Sequence, residues 1–377
     1  MKNILKSLIF VFIILLVNPL YAQFQNKRKA ITQFKGSYIV SSSAIPSGYV
    51  NITKYLPKNY VKNGTVDYTI QIQKALNENR NVIMPNFPIM IKGLNVKSNS
   101  KIWFQPSSKL LLKPNNETHY MILALIGVEN VSIYNANLEG DYSKHLGTAG
   151  AWGYGIDIRG SRNIKIENSI ISNCWGDGIC ISSNHNKFTK NLNLFNTNNI
   201  IIKNSIIDYN RRNGITIAGG ENISITNSLI SNTFGVQPKS GIDFEPDNSK
   251  PKMENITLNN VKFYNNAFGL NFFLNSYADN KINKNIQVKI NNLVFEDQIT
   301  ALVIYGYDKK IKKMPLKGLV EIDGVKLINV NNPIFRGPED HRIIPDFSIR
   351  NWNNSSKKMD KNNILKGVKS QIGLDVK

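Results

Sequence analysis

The sequence predicts an all-β protein, a single-stranded right-handed parallel β-helix with a short N-terminal helical cap. Three observations predict this fold: a phrase that recurs at intervals of 23 to 36 residues, Asn at fixed positions within it, and Gly plus an aliphatic residue after most copies. Each repeat then supplies three short strands. Repeats of this length cannot bury an apolar face alone, and stacking them into a solenoid does so.

The recurring phrase reads Asn, apolar, any, apolar, any, Asn, any and two apolar residues. Its alternation predicts two short strands that meet at an Asn corner. In a parallel stack the Ile side chains fill the interior, and the corner Asn amides can hydrogen-bond to one another. The clearest copies begin at Asn163, Asn199, Asn222 and Asn255, with weaker ones at Asn130 and Asn285.

A third strand is predicted after each of these corners. It begins at Gly155-Ile156, Gly178-Ile179, Gly214-Ile215, Gly241-Ile242 and Gly269-Leu270. Extra residues at 137–154, 183–198 and 234–240 lengthen three connections while the period of the core is kept. If these insertions emerge on one side, they wall a groove.

Four segments are expected along the chain. Lys2, Lys6 and an apolar run from Leu8 to Val17 are typical of a signal peptide, which predicts export to the periplasm or the medium. That run is too short to cross a bilayer, so integral membrane association is not expected. The predicted segments are a signal peptide (1–22), an N-terminal segment with a helix from about Thr69 to Asn79 (23–100), the β-helix (101–345) and a basic, weakly structured tail (346–377).

The composition favours a polyanionic partner, because Lys and Arg number 47 against 26 Asp and Glu. Export makes an acidic polysaccharide a better candidate than nucleic acid, and a monomer is expected. Cys174 and Cys180 flank a turn and are predicted to be buried free thiols. The sequence lacks HExxH, CxxC, Walker and GxSxG patterns, so no cofactor is expected.

Three segments resemble the pectin-lyase-like β-helix superfamily, most closely its polygalacturonase, rhamnogalacturonase and tail-spike branch. They are VDYTIQIQKAL (66–76), WGDGICI (175–181) and RRNGITI (211–217). The resemblance implies a polysaccharide-cleaving enzyme and places Asp177 on the second acid of the family's Asp-Asp pair. Gly176 stands at the first acid of that pair, and Asn213 stands at the family's His.

Strand alternation predicts which acids face outwards. With Ile156 and Ile242 inside, Asp157 and Asp243 point out, and the residue before each Gly, such as Asp177, does the same. Adjacent coils are about 4.8 Å apart, so acids distant in sequence become neighbours. Hydrolysis of a glycosidic bond needs a protonated and an ionised carboxyl group. Asp177 is the predicted acid and Asp243 the base, with Glu245 or Asp157 as alternates.

A second group of residues is predicted to bind substrate. Arginine and lysine can pair with polymer carboxylates, aromatic rings can stack on sugars, and polar residues in the longest insertion can reach over the groove. The predicted binding residues are Arg211, Arg212, Asn213, Lys239, Trp152, Tyr154, Trp175, Asp141 and His145.

The predicted function is hydrolysis of an acidic polysaccharide by carboxylate acid/base chemistry. The alternatives are a polysaccharide lyase, a uronate epimerase and a non-catalytic carbohydrate-binding surface protein. No metal is required, although Asp243, Glu245 and Asp247 could supply hard oxygen ligands to calcium.

Overall fold

The computed structural model describes residues 28–29, 31–39, 45–184, 189–190, 192–305, 314–336, 345–354 and 372–374. The chain winds into a parallel β-helix in which every strand pairing between the named strands is parallel and each coil stacks on the one before. The predicted signal peptide lies outside the described residues, as does most of the tail. No helix in the described part is long and apolar enough to cross a bilayer.

One side of the helix is a nine-stranded sheet within the described ranges, here called the front sheet. Five of its strands contain or directly follow the predicted Gly-aliphatic steps, which confirms the third strand at those repeats. They are β4 (Leu94–Asn95), β7 (His119–Ile126), β10 (Trp152–Arg159), β13 (Ile179–Ser182), β16 (Ile215–Ile217), β18 (Ser240–Phe244), β20 (Phe268–Phe273), β22 (Thr300–Tyr305) and β24 (Asn332–Arg336).

The other two sides form a continuous sheet of seventeen described strands, the back sheet, which bends at the second Asn of each phrase. Its strands are β1 (Val50–Asn51), β2 (Asn81–Ile83), β3 (Pro88–Ile91), β5 (Lys101–Trp103), β6 (Lys109–Leu112), β8 (Glu129–Tyr134), β9 (Asn137–Glu139), β11 (Arg162–Glu167), β12 (Ile170–Ser172), β14 (Asn198–Lys203), β15 (Ile206–Asp208), β17 (Gly220–Ser231), β19 (Met253–Tyr264), β21 (Asn285–Glu296), β23 (Lys317–Ile328), β25 (Asp346–Asn354) and β26 (Ile372–Leu374).

The Asn corners form ladders as the repeat predicts. Asn130, Asn163 and Asn199 adopt the left-handed conformation with φ of 57°, 57° and 56°, which Asn tolerates better than most residues. The amide of Asn163 donates to Asn130 at 2.9 Å, and that of Asn199 donates to Asn163 at 2.9 Å. The same residue type therefore sets the bend and ties neighbouring coils together.

The interior is a stack of aliphatic side chains held in register. Ile156, Ile179, Ile215 and Ile242 occupy matching positions on successive front-sheet strands, and each is fully buried. Cys174 and Cys180 are buried and free, as predicted.

A helical cap closes the N-terminal end. Helix α2 (Thr69–Glu78) begins where the sequence predicts and buries Ile72, Ala75 and Leu76. Ile70 lies on the opposite face of this helix and is 80% exposed. A 3₁₀ turn at Ile52–Tyr55 packs beside the cap.

Strand pairing extends beyond the expected limits of the β-helix. Strands β2 to β4 pair with later coils before residue 101, and β25 pairs with β23 in the region expected to be a weakly structured tail. The alternating segment from Phe347 to Trp352 explains the second difference, since Phe347, Ile349 and Trp352 are buried.

Helix α1 (Thr32–Tyr38) was not predicted. Ile31, Phe34, Tyr38 and Ile39 in and beside it cover an apolar row on the outer surface of the back sheet. That row consists of Ile170, Ile206, Leu229 and Tyr264.

The three insertions emerge on two sides of the front sheet. Those around 140–151 and 232–239 precede β10 and β18, whereas 183–197 follows β13. A further loop at 245–252 follows β18. The front sheet is therefore the floor of a trough with loops along both borders, which differs from the one-sided wall considered from the sequence. A 3₁₀ turn at Tyr142–Lys144 lies in the first of these loops.

Candidate active site

The middle row of outward residues on the front sheet carries two of the four predicted acids, Asp157 and Asp243. Ile156 and Ile158 pack in the core, so Asp157 between them lies on the outer face. Strand register then aligns one residue from each coil with it. In order, this row is Ala124, Asp157, Cys180, Thr216, Asp243 and Asn271.

Asp177 joins this face through the bend before β13. A Cβ on the following Gly178 would lie 2.5 Å from Ile207 Cγ2 and 2.8 Å from the Gly214 carbonyl oxygen. Only Gly fits between the two sheets there. The Cβ position at Gly178 and the side chain of Ile179 therefore both point into the core. The residue before this step turns outwards, which is the orientation predicted for Asp177.

Three groups donate hydrogen bonds to Asp177. Arg212 Nη1 donates to Oδ2 at 3.0 Å, Thr216 Oγ1 donates to the same oxygen at 2.8 Å, and the Asn213 backbone N–H donates to Oδ1 at 3.1 Å. Asp177 is fully buried. All three donors to its carboxylate belong to the next coil.

Asp243 occupies the same face two coils further along. Asn213 Nδ2 donates to its Oδ2 at 3.1 Å, and Asn271 Nδ2 donates to its Oδ1 at 2.9 Å. Asp243 is also fully buried and lies within hydrogen-bonding reach of the Glu245 carboxyl group. A hydrogen bond between two carboxyl groups requires one of them to carry a proton.

Arg212 joins the three acids into one network, here called the carboxylate cluster (Asp177, Asp243, Glu245 and Arg212). Its Nη1 contacts Asp177 and its Nη2 contacts Glu245. The Arg212 side chain is 14% exposed and that of Glu245 28%, whereas neither aspartate is exposed. Solvent therefore reaches the cluster through Glu245 and the edge of Arg212.

Burial controls ionisation in the cluster. It raises the pKa of Asp177 to about 6, although the Arg212 charge and the Thr216 hydrogen bond favour the ionised form. Burial also raises the pKa of Asp243 well above its ordinary value, and the neighbouring Glu245 charge acts in the same direction. Burial alone would lower the pKa of Arg212, but its three acidic neighbours raise that pKa overall.

Asp157 lies apart from the cluster. It accepts a hydrogen bond from Arg159 Nε at 3.2 Å, and Arg159 Nη1 donates to the Asn184 carbonyl oxygen at 2.8 Å. Burial raises the pKa of Asp157 against the opposing charge of Arg159. The structure thus brings together Asp177, Asp243 and Glu245 and pairs Asp157 with a different arginine.

Four of the predicted binding residues hold the 140–151 loop against the coils. His145 Nδ1 lies 2.8 Å from Asp141 Oδ2, and the His145 ring stacks on Trp175 with centroids 3.9 Å apart. Arg211 lies 3.5 Å from the Trp175 ring and donates to the Gly150 carbonyl oxygen at 2.7 Å. These contacts give Asp141, His145, Trp175 and Arg211 a structural task, and their role in binding stays a prediction.

The other predicted binding residues differ in exposure. Trp152 is 50% exposed at the start of β10, whereas Tyr154 is buried. Lys239 has a φ of 65° in the loop before β18, and burial lowers its pKa. Asn213 is fully buried and links the two aspartates, because its backbone N–H donates to Asp177 and its Nδ2 donates to Asp243. Its Nδ2 also donates to Thr216 at 2.9 Å.

The calcium alternative gains no support from the arrangement. Among the described residues, no group of three or more His, Cys, Asp or Glu side chains is placed to hold a metal ion. Asp247 interacts with Asn184 and with the charge of Arg159, while Asp243 and Glu245 interact with Arg212.

Sequence reasoning did not single out Thr216, Asn271 or Arg159. Strand register was the signal that could have found the first two, because both share the middle row with Asp243. Arg159 follows Asp157 by two residues and therefore lies on the same face of β10.

Comparison with solved structures supports the architecture. The endo-xylogalacturonan hydrolase of Aspergillus tubingensis superposes with a TM-score of 0.55 at 13% identity, over 78% of this chain and 83% of that one. The Family 28 exopolygalacturonase of Yersinia enterocolitica gives a TM-score of 0.53 at 14% identity, over 84% of this chain and 72% of that one. At these identities the likeness shows the fold alone.

Sequence comparison adds a shorter match and a family. The SPbeta prophage-derived uncharacterized protein YorA of Bacillus subtilis (strain 168) is 33% identical over 98 residues, 24% of this chain and 17% of that protein. The chain spans less than a fifth of the length of the curated relatives it matches. The model of the right-handed beta helix region matches residues 77–292, more than half of the chain. The chain therefore belongs to the right-handed β-helix family.

Proposed function

We propose that this chain is an exported enzyme that hydrolyses glycosidic bonds of an acidic polysaccharide at the carboxylate cluster. The observation that carries the proposal is the pairing of two buried aspartates of raised pKa with a partly exposed Glu245 on one face. Perturbed acids that meet on a walled surface are typical of acid/base sites. Two structures of the same fold carry the names of hydrolases of galacturonan-type polymers.

The environments assign different roles to the acids. Asp243 keeps its proton at pH values where an ordinary aspartate has lost it. It passes this proton to Glu245, which faces the substrate and protonates the leaving oxygen. Asp177, of pKa about 6, is ionised at neutral pH and activates the water that attacks the anomeric carbon. This assignment exchanges the roles that the sequence predicted for Asp177 and Asp243.

The test is incubation of the purified chain with polygalacturonate, alginate and hyaluronan. Reducing ends and ultraviolet absorbance are read together. Hydrolysis releases reducing ends without an unsaturated, absorbing product. Glu245→Gln and Asp243→Asn should each lower turnover at least about 100-fold. The control Glu129→Gln, on the outer face of the back sheet, should not. Release of reducing ends that survives Glu245→Gln would refute this site.

A lyase is the second candidate, favoured by the half-buried Lys239 beside the front sheet. Burial lowers the pKa of Lys239, so a larger neutral fraction is present to remove a proton next to a neutralised uronate. β-Elimination would give an absorbing product, and Lys239→Met would abolish it. A change in uronate composition without shorter chains would identify an epimerase, and binding without turnover would identify a surface binding protein.

Export and assembly are proposals as well. Residues 1–22 have the pattern of a signal peptide, so the mature chain should begin near Gln23 when it is recovered from the periplasm or the medium. N-terminal sequencing of that material tests the cleavage. Size-exclusion chromatography with light scattering tests the expected monomer.

A further inference from the structure

We propose that a pocket at the border of the front sheet binds a carboxylate-bearing sugar residue of the polymer, which rests on the proposed function. The pocket has a volume of about 220 Å³. Its lining combines amides, a hydroxyl and one ammonium group. The lining residues are Ser183, Asn184, Asn196, Asn248, Lys250 and Pro251.

The pocket exists because neighbouring coils carry connections of unequal length. The loops after β13 and β18 are long, whereas the coil between them turns at 218–219 directly into β17. A Cβ on Gly219 would lie 2.4 Å from Pro251 Cβ, so this short turn packs closely under the second loop. Ser183, Asn184 and Asn196 of the first loop therefore line a notch together with three residues of the second loop.

Asn184 contributes a side-chain amide to this space. The residue is 8% exposed, and its Nδ2 makes no close hydrogen bond, although the Asp247 carboxylate interacts with this side chain. Its backbone is fixed, because Arg159 Nη1 binds the carbonyl oxygen at 2.8 Å and the N–H donates to Ser182 Oγ at 3.1 Å. A hydroxyl or carboxylate oxygen of a sugar would complete the hydrogen bonding of this amide.

Lys250 supplies the charge that an acidic sugar needs. Arg159 and Arg212 are already paired with acids, and Arg211 is held against Trp175. The Lys250 side chain is exposed, and its ammonium has no ion-pair partner among the described residues. Asp247 on the same loop interacts with Arg159. The pocket therefore offers a cation beside neutral donors, a combination that suits a carboxylate next to hydroxyls.

The pocket and the carboxylate cluster share one loop. Glu245 opens the loop whose later residues, Asn248 to Pro251, line the cavity. Arg159 links Asn184 to Asp157 on the front sheet. A sugar residue in the pocket would thus belong to a chain whose neighbouring residue passes Glu245. The pocket would anchor substrate beside the reacting bond.

Binding measured separately from cleavage tests this proposal. All variants carry Glu245→Gln to prevent turnover, and calorimetry follows oligomers of galacturonate, mannuronate and hyaluronan. Lys250→Met should weaken binding of at least one acidic oligomer about fivefold to tenfold. Binding of the methyl-esterified galacturonate oligomer should not change. The matched control is Lys281→Met, an exposed lysine on the equivalent loop of the next coil.

The outcomes separate the two proposals. Equal affinities for the Lys250→Met and Lys281→Met variants would overturn the pocket while leaving any measured hydrolysis intact. Binding that depends on Lys250 in a chain that cleaves no polymer would support the pocket and refute the hydrolase. Failure of every acidic oligomer to bind would overturn the pocket, and circular dichroism would verify that each variant is folded.

Discussion

Asp177 and Asp243 differ in how their burial is compensated, although both are fully buried. Asp177 accepts from Arg212, so a full positive charge stabilises its ionised form. Asp243 accepts from two neutral amides and lies beside another acid. Neutral donors compensate a buried carboxylate less well than a guanidinium does. Asp243 is therefore the acid that holds its proton.

The pH dependence of catalysis distinguishes the roles of Asp177. With a pKa of about 6, an ionised Asp177 acting as base predicts that kcat/KM rises as the pH passes through about 6. If Asp177 were the acid, kcat/KM would fall there. Since the Arg212 charge lowers the pKa of Asp177, Arg212→Met should move the midpoint of this rise in kcat/KM to higher pH. The control Arg162→Met, on the back sheet, should leave that midpoint unchanged.

The same burial predicts how stability depends on pH. Unfolded aspartates titrate near pH 3.9, and the pKa values of Asp177 and Asp243 are higher in the folded chain. The folded state binds more protons, so their contribution is complete below about pH 4 and is lost as the pH rises through about 6 for Asp177.

Asp243→Asn isolates one of these groups, because an amide cannot ionise. Between pH 4 and 8 the free energy of unfolding of the variant should increase relative to that of the unchanged chain. Urea titrations at several pH values measure the difference. A difference that is constant with pH would contradict the raised pKa of Asp243.

At the scale of single elements, the Gly in or just before five of the front-sheet strands is a packing requirement. A Cβ on Gly241 would lie 2.5 Å from Phe263 Cδ1 and 2.8 Å from the Gly269 carbonyl oxygen. Gly241→Ala should therefore destabilise the chain by about 1 to 3 kcal/mol through overpacking. Chemical denaturation measures the loss. Gly36→Ala is the control, since a Cβ there meets nothing within 4 Å, and it should not destabilise.

The Asn corners combine a backbone and a side-chain contribution. Asn163 has a φ of 57°, donates to Asn130 and accepts from Asn199. Asn163→Gly keeps the backbone conformation and should cost about 1 to 2 kcal/mol for two lost hydrogen bonds. Asn163→Ala should cost about 1 kcal/mol more, because Ala is strained in that conformation. Equal losses in both variants, measured by urea unfolding, would contradict this division.

The sequence predicted what repeats and missed what occurs once. Asn corners, Gly steps and alternating Ile recur in each coil, so a local pattern sufficed to predict the winding and the outward direction of Asp177. The contacts of His145 and Arg211 with Trp175 depend on how one loop folds back over the coils. Nothing periodic marks such contacts. The same reason explains why Asp157 was grouped with the cluster although Arg159 holds it separately.

At the scale of the whole molecule, helix α1 covers an apolar surface that the stacked coils create. Stacking places Ile170, Ile206 and Leu229 in one row on the outer surface of the back sheet. A long apolar row on an open sheet invites association with other chains. Phe34 covers its end, with its ring centroid 5.2 Å from that of Tyr264. The helix therefore seals a surface that a regular solenoid would leave exposed.

Phe34→Asp tests this seal directly. A carboxylate cannot pack on the apolar row, so α1 should detach, and the chain should bind a hydrophobic dye and form oligomers at lower concentration. The β-helix itself should remain folded, because its coils bury their core without α1. Gln33→Asp changes the charge by the same amount on the exposed side of the helix and should have neither effect. Dye fluorescence and light scattering measure both responses. Unchanged values for Phe34→Asp would mean that the row is protected in another way.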